Sequence, residues 1–187
     1  GIKASDMVAL DKITAQTMYV GSGPNNEAGT LAINDFCKFR IAAIDNSPDA
    51  GGNAVYMHFR AFIDSFSDSY GATWNPTQFS GRGDKLYNYS GFDRTINLAF
   101  TVYAQSKAEL IPMYKKLNYL ASTMTPDYNT AGFMRGNLVR LTLGGYLYEQ
   151  PGFIQGFTYE VPQEASWEIA INEEGKSDPS VKELPFM

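Results

Sequence analysis

The chain has 187 residues, 44% of them hydrophobic and 19% charged, which suits one domain with a substantial core. Fifteen Lys and Arg against twenty Asp and Glu give a net charge of −5, which argues against a protein that wraps a nucleic-acid backbone. The sequence has no run of about 18 apolar residues and no signal-peptide pattern, so we expect neither a membrane span nor a leader. The single Cys37 and the single His58 exclude an intrachain disulfide and a multi-histidine metal site.

Residues 1–53 are predicted to form an N-terminal arm and a first short strand. Residues 1–30 are small and polar, so we expect them to pack on a neighbouring chain or to stay mobile. Apolar and polar residues alternate within 31–44, which predicts a short strand. The sequence DNSPDAGGN at 45–53 is typical of a loop.

Residues 54–187 are predicted to form the main domain, which begins with two long strands and a helix. Period-2 alternation predicts strands over 54–66 and 94–104, and we expect both in one sheet. Apolar residues at helical spacing predict a helix over 106–123, with Ser106 and Glu109 as a capping box. Pro112 opposes this helix because a proline there removes a backbone hydrogen bond.

Further strands are predicted after the helix. Residues 138–148 and 153–161 form a predicted strand pair joined through Pro151-Gly152, and 166–171 form one more strand. Aromatic residues make up 14% of the chain, which also favours strands. Strands on both sides of a single capped helix predict an α+β, mainly antiparallel fold.

The candidate catalytic residues have simpler structural explanations. Arg82-Gly83-Asp84 matches an adhesion tripeptide, but its composition is that of a turn. His58 has no nucleophile nearby in a known pattern, and Cys37 lies among phenylalanines like a buried apolar residue. Acidic residues could supply a glycosidase pair, but their spacing does not separate a catalytic pair from surface charge. They are Asp64, Asp68, Asp84, Asp93, Asp127, Glu160, Glu164 and Glu168. No nucleotide-binding glycine motif is present. We therefore expect no catalytic, metal or cofactor site and no enzymatic activity.

The order of several segments resembles that of bacteriophage tail proteins, the tail tube initiator or tube cap proteins near the baseplate. The resemblance covers about residues 54–187. It is carried by FRAFI at 59–63 with Trp74-Asn75, GRGDKLYNYSGFDR at 81–94, the helix segment 109–118, MRG at 134–136, RLTLG at 140–144, PGFI at 151–154 and WEI at 167–169.

This resemblance implies a structural virion protein with a tail-tube-like β-sandwich or barrel and one flanking α-helix. It implies a ring, usually a hexamer, that is assembled in the host cytoplasm, contacts adjacent tail-tube or baseplate proteins and passes DNA through its lumen. Strand edges would pair between subunits, and an acidic lumen would repel DNA.

Aromatic residues in and before the turn-rich segment 80–93 have the composition of a contact surface. We expect a subunit interface that contains Trp74, Arg82, Tyr87, Tyr89 and Phe92. A cell-surface or carbohydrate-binding β module of a tail, and a tail-associated cell-wall hydrolase, remain as alternatives. A glycan-binding result would favour the first, and a convergent carboxylate pair in a cleft would favour the second.

Overall fold

The computed structural model describes residues 12–15, 17–21, 39–44, 53–167, 171, 176 and 184–186. Cys37, Glu168 and most of the predicted arm and loop within 1–53 lie outside the described residues. The chain divides into two compact units. One comprises Gly1–Ala61 with Val102–Met187, and the other comprises Phe62–Thr101.

Nine strands and two helices follow one another in the described residues. They are α1 (Lys12–Ala15), β1 (Tyr19–Gly21), β2 (Phe39–Ile44), β3 (Ala54–His58), β4 (Ala61–Gln78), β5 (Lys85–Val102), α2 (Lys107–Ser122), β6 (Asp127–Tyr128), β7 (Met134–Arg135), β8 (Val139–Leu143) and β9 (Leu147–Gly152). The predicted class, α+β with mainly antiparallel strands, is confirmed at this level.

The first unit is built on a five-stranded antiparallel sheet with strand order β1-β3-β2-β8-β9. Its central strand β2 pairs Ala42 with Tyr56 of β3 and with Arg140 of β8. Both faces of β2 are buried, which explains its nearly continuous apolar run. Arg40 lies on this strand and is 1% exposed. Its guanidinium donates to Glu149 Oε1 at 2.8 Å and lies over the Tyr56 ring.

The predicted strand 54–66 is wrong as a single element. It is broken at Phe59 and Arg60, and β3 belongs to the five-stranded sheet whereas β4 pairs with β5. Phe59 is buried, its amide donates to Phe39 O at 3.0 Å, and its ring lies 5.8 Å from that of Phe39. Alternation continues through this change of sheet, so the sequence pattern did not mark it. The predicted strand 94–104 lies in β5 up to Val102. The expectation that it shares a sheet with 54–66 therefore holds only for the part of 54–66 that belongs to β4.

The predicted pairing of 138–148 with 153–161 is also wrong. The turn lies at Gly144–Tyr146, where Tyr146 N donates to Leu143 O, and Pro151 lies inside β9. Gly144 has a φ of 55°, which glycine adopts at little cost. Proline is tolerated in β9 because this strand is at the edge of the sheet. Residues 153–161 contain no strand. Of the predicted strand 166–171, residues 168–170 lie outside the described residues, and Trp167 forms an isolated antiparallel bridge with Pro185.

The predicted helix is confirmed as α2, which is the only long helix among the described residues. Its predicted apolar face is buried, with Leu110, Met113, Leu117 and Leu120 at most 6% exposed. The Ser106 half of the predicted capping box does not form, because Ser106 is the N-cap by position but makes no side-chain cap bond. Glu109 Oε2 accepts at 2.9 Å from the backbone N–H of Gln105, the residue before the N-cap.

A small hairpin that the sequence pattern did not reveal joins β6 and β7. Asn129 Oδ1 accepts from the amides of Ala131 and Phe133, and Arg135 donates through Nε and Nη2 to Asp127 Oδ2 at 3.0 and 2.6 Å. The hydrogen bond from Arg135 is the main cause that lowers the pKa of Asp127 below its ordinary value.

We expect this hairpin to lose its ion pair in acid. A lowered carboxyl pKa means that the stabilisation is complete above the unfolded pKa, about 4, and is lost as the pH falls through the lower folded pKa. An NMR titration of Asp127 should show this low pKa, and Arg135→Gln should return it towards the ordinary value. An Asp127 pKa that is the same with and without Arg135 would contradict the assignment.

Candidate subunit interface

The second unit is a long two-stranded hairpin, formed by β4 and β5 and hereafter called the long hairpin. Each strand has 18 residues and spans roughly 60 Å. At the turn, Arg82 N donates to Phe79 O, and Gln78 Nε2 donates to Arg82 O. Gly81 has a φ of 83°, a conformation that favours glycine. The predicted bend at 80–84 is thereby confirmed as the tip of the long hairpin.

The structure places all five predicted interface residues on the long hairpin. Trp74 lies on β4, Arg82 lies in the turn, and Tyr87, Tyr89 and Phe92 lie on β5. Each is exposed, and the four aromatic side chains are 54–60% exposed. The fold brings Trp74 and Tyr89 together across the strands, with ring centroids 5.0 Å apart in an edge-to-face arrangement. The Phe92 ring instead lies beside that of Tyr70, with ring centroids 6.3 Å apart.

The segment 80–93 is not the turn-rich loop that the sequence analysis predicted. Only 79–84 form the turn, and β5 begins at Lys85. Glycine and serine in this segment suggested a loop, but Leu86, Tyr87, Tyr89 and Phe92 favour a strand and pair across to β4. The segment 67–78, which contains Ser, Gly and Pro, is strand as well and belongs to β4.

An ion pair that no sequence pattern indicates joins the two strands. Arg94 donates to Asp68 through two nitrogens, at 2.9 and 2.6 Å, and Tyr70 OH donates to the same carboxylate at 2.8 Å. The Arg94 guanidinium also lies 4.9 Å from the centre of the Tyr70 ring. The pair is 26 residues apart in sequence, so only the strand register brings it together. It neutralises charge in the body of the long hairpin.

The outer part of the long hairpin carries no charge except near its tip. Residues 69–81 and 86–92 contain no Asp, Glu, Lys or Arg, and they hold Tyr70, Trp74 and the β5 aromatics. These large side chains are exposed, as are Phe79 and Leu86. Aromatic enrichment with few charges is the composition of an interface core. Large exposed apolar patches are typical of interaction sites, so the long hairpin is the candidate interface.

Those of the other candidate residues that the structure describes form no reactive group with one another. Asp68 bonds Arg94, Asp64 accepts from Thr101, Asp127 bonds Arg135, and Glu160 and Glu164 are exposed. Arg82 and Asp84 lie 3.9 Å apart at the exposed tip. Within the described residues, no group of three or more His, Cys, Asp or Glu side chains could hold a metal ion. None of the described helices is long and apolar enough to cross a membrane.

No protein-family model matches this sequence, and comparison with curated proteins and with solved structures gave no match either.

Proposed function

We propose that this protein is a structural virion component that forms a ring in a bacteriophage tail tube or at its junction with the baseplate. The ring would serve as the conduit for DNA ejection and would have no enzymatic role. The resemblance of residues 54–187 to tube initiator and tube cap proteins motivates the proposal. The observation that carries it is the long hairpin, which exposes aromatic side chains in two stretches without charged residues, 69–81 and 86–92.

The long hairpin needs a partner surface for physical reasons. An isolated two-stranded hairpin is at best marginally stable in water, because it cannot bury an apolar face. Here large apolar side chains along both strands remain about half exposed. Among the described residues β4 and β5 pair only with each other, so each of these two strands has one edge without a partner strand. Docking on another subunit would cover both the aromatic surface and an edge.

Copies of the same chain are the partner that we propose for the long hairpin. The chain carries a net charge of −5, so two copies approach with least repulsion through uncharged surfaces. Contacts between different surfaces of identical subunits form a ring when the rotation between neighbours closes, and a tail tube requires such a ring. In that assembly we propose that the mainly antiparallel fold is a tail-tube-like sandwich or barrel, with adjacent tail-tube or baseplate proteins above and below it. Its acidic character would repel passing DNA, and the protein would reside in the virion after assembly in the host cytoplasm.

The mass and shape of the purified protein test this proposal. We expect light scattering to give a mass close to six times that of the 20.7-kDa chain, and negative-stain microscopy to show rings with a central channel. A protease should cut the long hairpin more slowly in assembled rings than in protein dissociated by dilution. A stable monomer at high concentration, with the long hairpin open to protease, would contradict the proposal.

The exposed Trp74–Tyr89 pair also favours a second candidate function, a cell-surface or carbohydrate-binding module of a tail. Exposed aromatic rings can pack against the apolar face of a sugar, and neighbouring Asn, Ser and Thr side chains can form hydrogen bonds with its hydroxyl groups. A glycan array probed with the monomer distinguishes the two. Specific binding that Trp74→Ala abolishes, together with a monomeric protein, would favour the module over the ring.

A further inference from the structure

Residues 12–21 contain two short elements that pack on the first unit. In α1, which contacts α2, Ile13 is 9% exposed and Thr14 is 2% exposed. In β1, three residues pair with β3, and Val20 lies opposite Val55. Residues 1–30 were expected to pack on a neighbouring chain or to stay mobile, but these described parts contact their own chain. We call α1 and β1 together the α1–β1 segment.

A buried lysine on α2 holds the α1 end of this segment. Lys116 is 1% exposed, and its ammonium donates to Ile13 O and Thr14 O at 3.1 Å each and to His58 O at 2.8 Å. It also lies 5.4 Å from the centre of the Phe59 ring. A lysine ammonium has three donors, and these three backbone carbonyls match that number. Lys116 therefore joins α1, α2 and the end of β3 at one point.

The other end of the segment covers a sheet edge. β1 is the outermost strand next to β3, so β3 would be an edge strand without it. An uncovered edge offers its backbone groups to a strand from another chain. Both the Lys116 bonds and the β1–β3 ladder use backbone atoms of the α1–β1 segment. The same segment of any copy of this chain would make identical bonds at this site.

We infer that the site formed by Lys116 and the edge of β3 receives the α1–β1 segment of a second copy, so that assembled subunits exchange these segments. This inference rests on the proposed ring. Release of the segment breaks the pairing of three β1 residues and the two Lys116 bonds to α1, and the exchanged segment makes the same bonds again. Residues 22–38 lie between β1 and β2 and can reach at most roughly 60 Å when extended, which is ample for a neighbouring subunit. Exchange of identical elements is a low-cost route to association.

Engineered disulfides test the exchange directly. The variant Val20→Cys/Val55→Cys, made with Cys37→Ser, places a cysteine pair at matched positions of β1 and β3. We expect oxidation of assembled protein to give a ladder of covalent multimers on a non-reducing gel. The matched control is Ala43→Cys/Val55→Cys, which pairs β2 with β3 inside one chain. It should close internally and give monomers only.

The outcomes separate the exchange from the ring. Rings in which the Val20–Val55 pair closes only within each chain would overturn the exchange and leave the ring intact. A protein that stays monomeric under all conditions would overturn both. Lys116→Met should remove most of the covalent ladder, whereas Lys115→Met, at an exposed neighbouring position, should retain it. A full ladder from Lys116→Met would contradict the role of the buried ammonium.

Discussion

Replacement of Trp74 and Tyr89 together by serine is expected to weaken ring assembly by about 30-fold or more at each contact. Truncation of a central Trp or Tyr in an interface commonly costs about 2 kcal/mol of binding free energy, which corresponds to a factor of about 30 in affinity. The two rings contact each other at 5.0 Å, so their effects should not add. The assembly midpoint, measured by light scattering over a concentration series, gives the change.

The control for this variant is Phe153→Ser, which removes an aromatic side chain of similar exposure from outside the long hairpin. We expect the assembly midpoint of this variant to stay within a factor of about three of that of the unaltered chain. Surface substitutions away from an interface usually change the free energy by no more than ~0.5 kcal/mol. Circular dichroism should be unchanged for both variants because all three side chains are exposed. Equal midpoints for the double variant and the unaltered chain would show that the long hairpin is not the contact.

The two long elements on either side of Gln105 show what local patterns can establish. In α2, helical spacing and an acidic residue in the first turn identified the element, its boundaries and its buried face. In β5, the alternation of Ile96, Leu98 and Phe100 with polar residues is matched by alternating exposure. Both patterns are local, so they survive without knowledge of the partner elements. Pro112 did not prevent the helix, because burial of its apolar face outweighs one missing hydrogen bond.

The errors have a common cause, which is the pairing of strands. The alternation across Phe59 gave no sign that the chain changes sheet, since both sheets need the same period. Pro151 and Gly152 resemble a turn, but they lie within β9, which is an edge strand and therefore tolerates proline. The turn lies instead at Gly144. The composition of β4 resembles a loop, and only its pairing with β5 makes it a strand.

Composition indicated the region of the candidate interface but not its geometry. Trp74, Tyr87, Tyr89 and Phe92 were predicted as contact residues because they are aromatic, and the structure shows that they are exposed. The Trp74–Tyr89 contact depends on register, as does the Arg94–Asp68 pair, so neither followed from the sequence. The buried Lys116 had no signal at all, because a charged residue on a predicted amphipathic helix is normally assigned to its exposed face.

Replacement of Leu117 by alanine is expected to lower the free energy of unfolding by about 2–5 kcal/mol. Leu117 is 6% exposed and lies one residue after the buried Lys116, on the face that also buries Leu110 and Met113. Truncation removes apolar contacts and leaves a cavity that the surrounding side chains fill only in part. Urea denaturation monitored by circular dichroism measures the change as a lower midpoint with an unchanged slope.

The matched control for Leu117→Ala is Ile111→Ala on the same helix, where the side chain is 38% exposed. Folding buries less apolar surface at Ile111 than at Leu117, and alanine favours a helix more than isoleucine does. We therefore expect Ile111→Ala to cost less than about 1 kcal/mol. If both variants unfold at the same urea concentration, Leu117 is not in the core and the facing of α2 is wrong. A large loss for Leu117→Ala alone would instead establish that α2 holds the first unit together, independently of whether the long hairpin has found its partner.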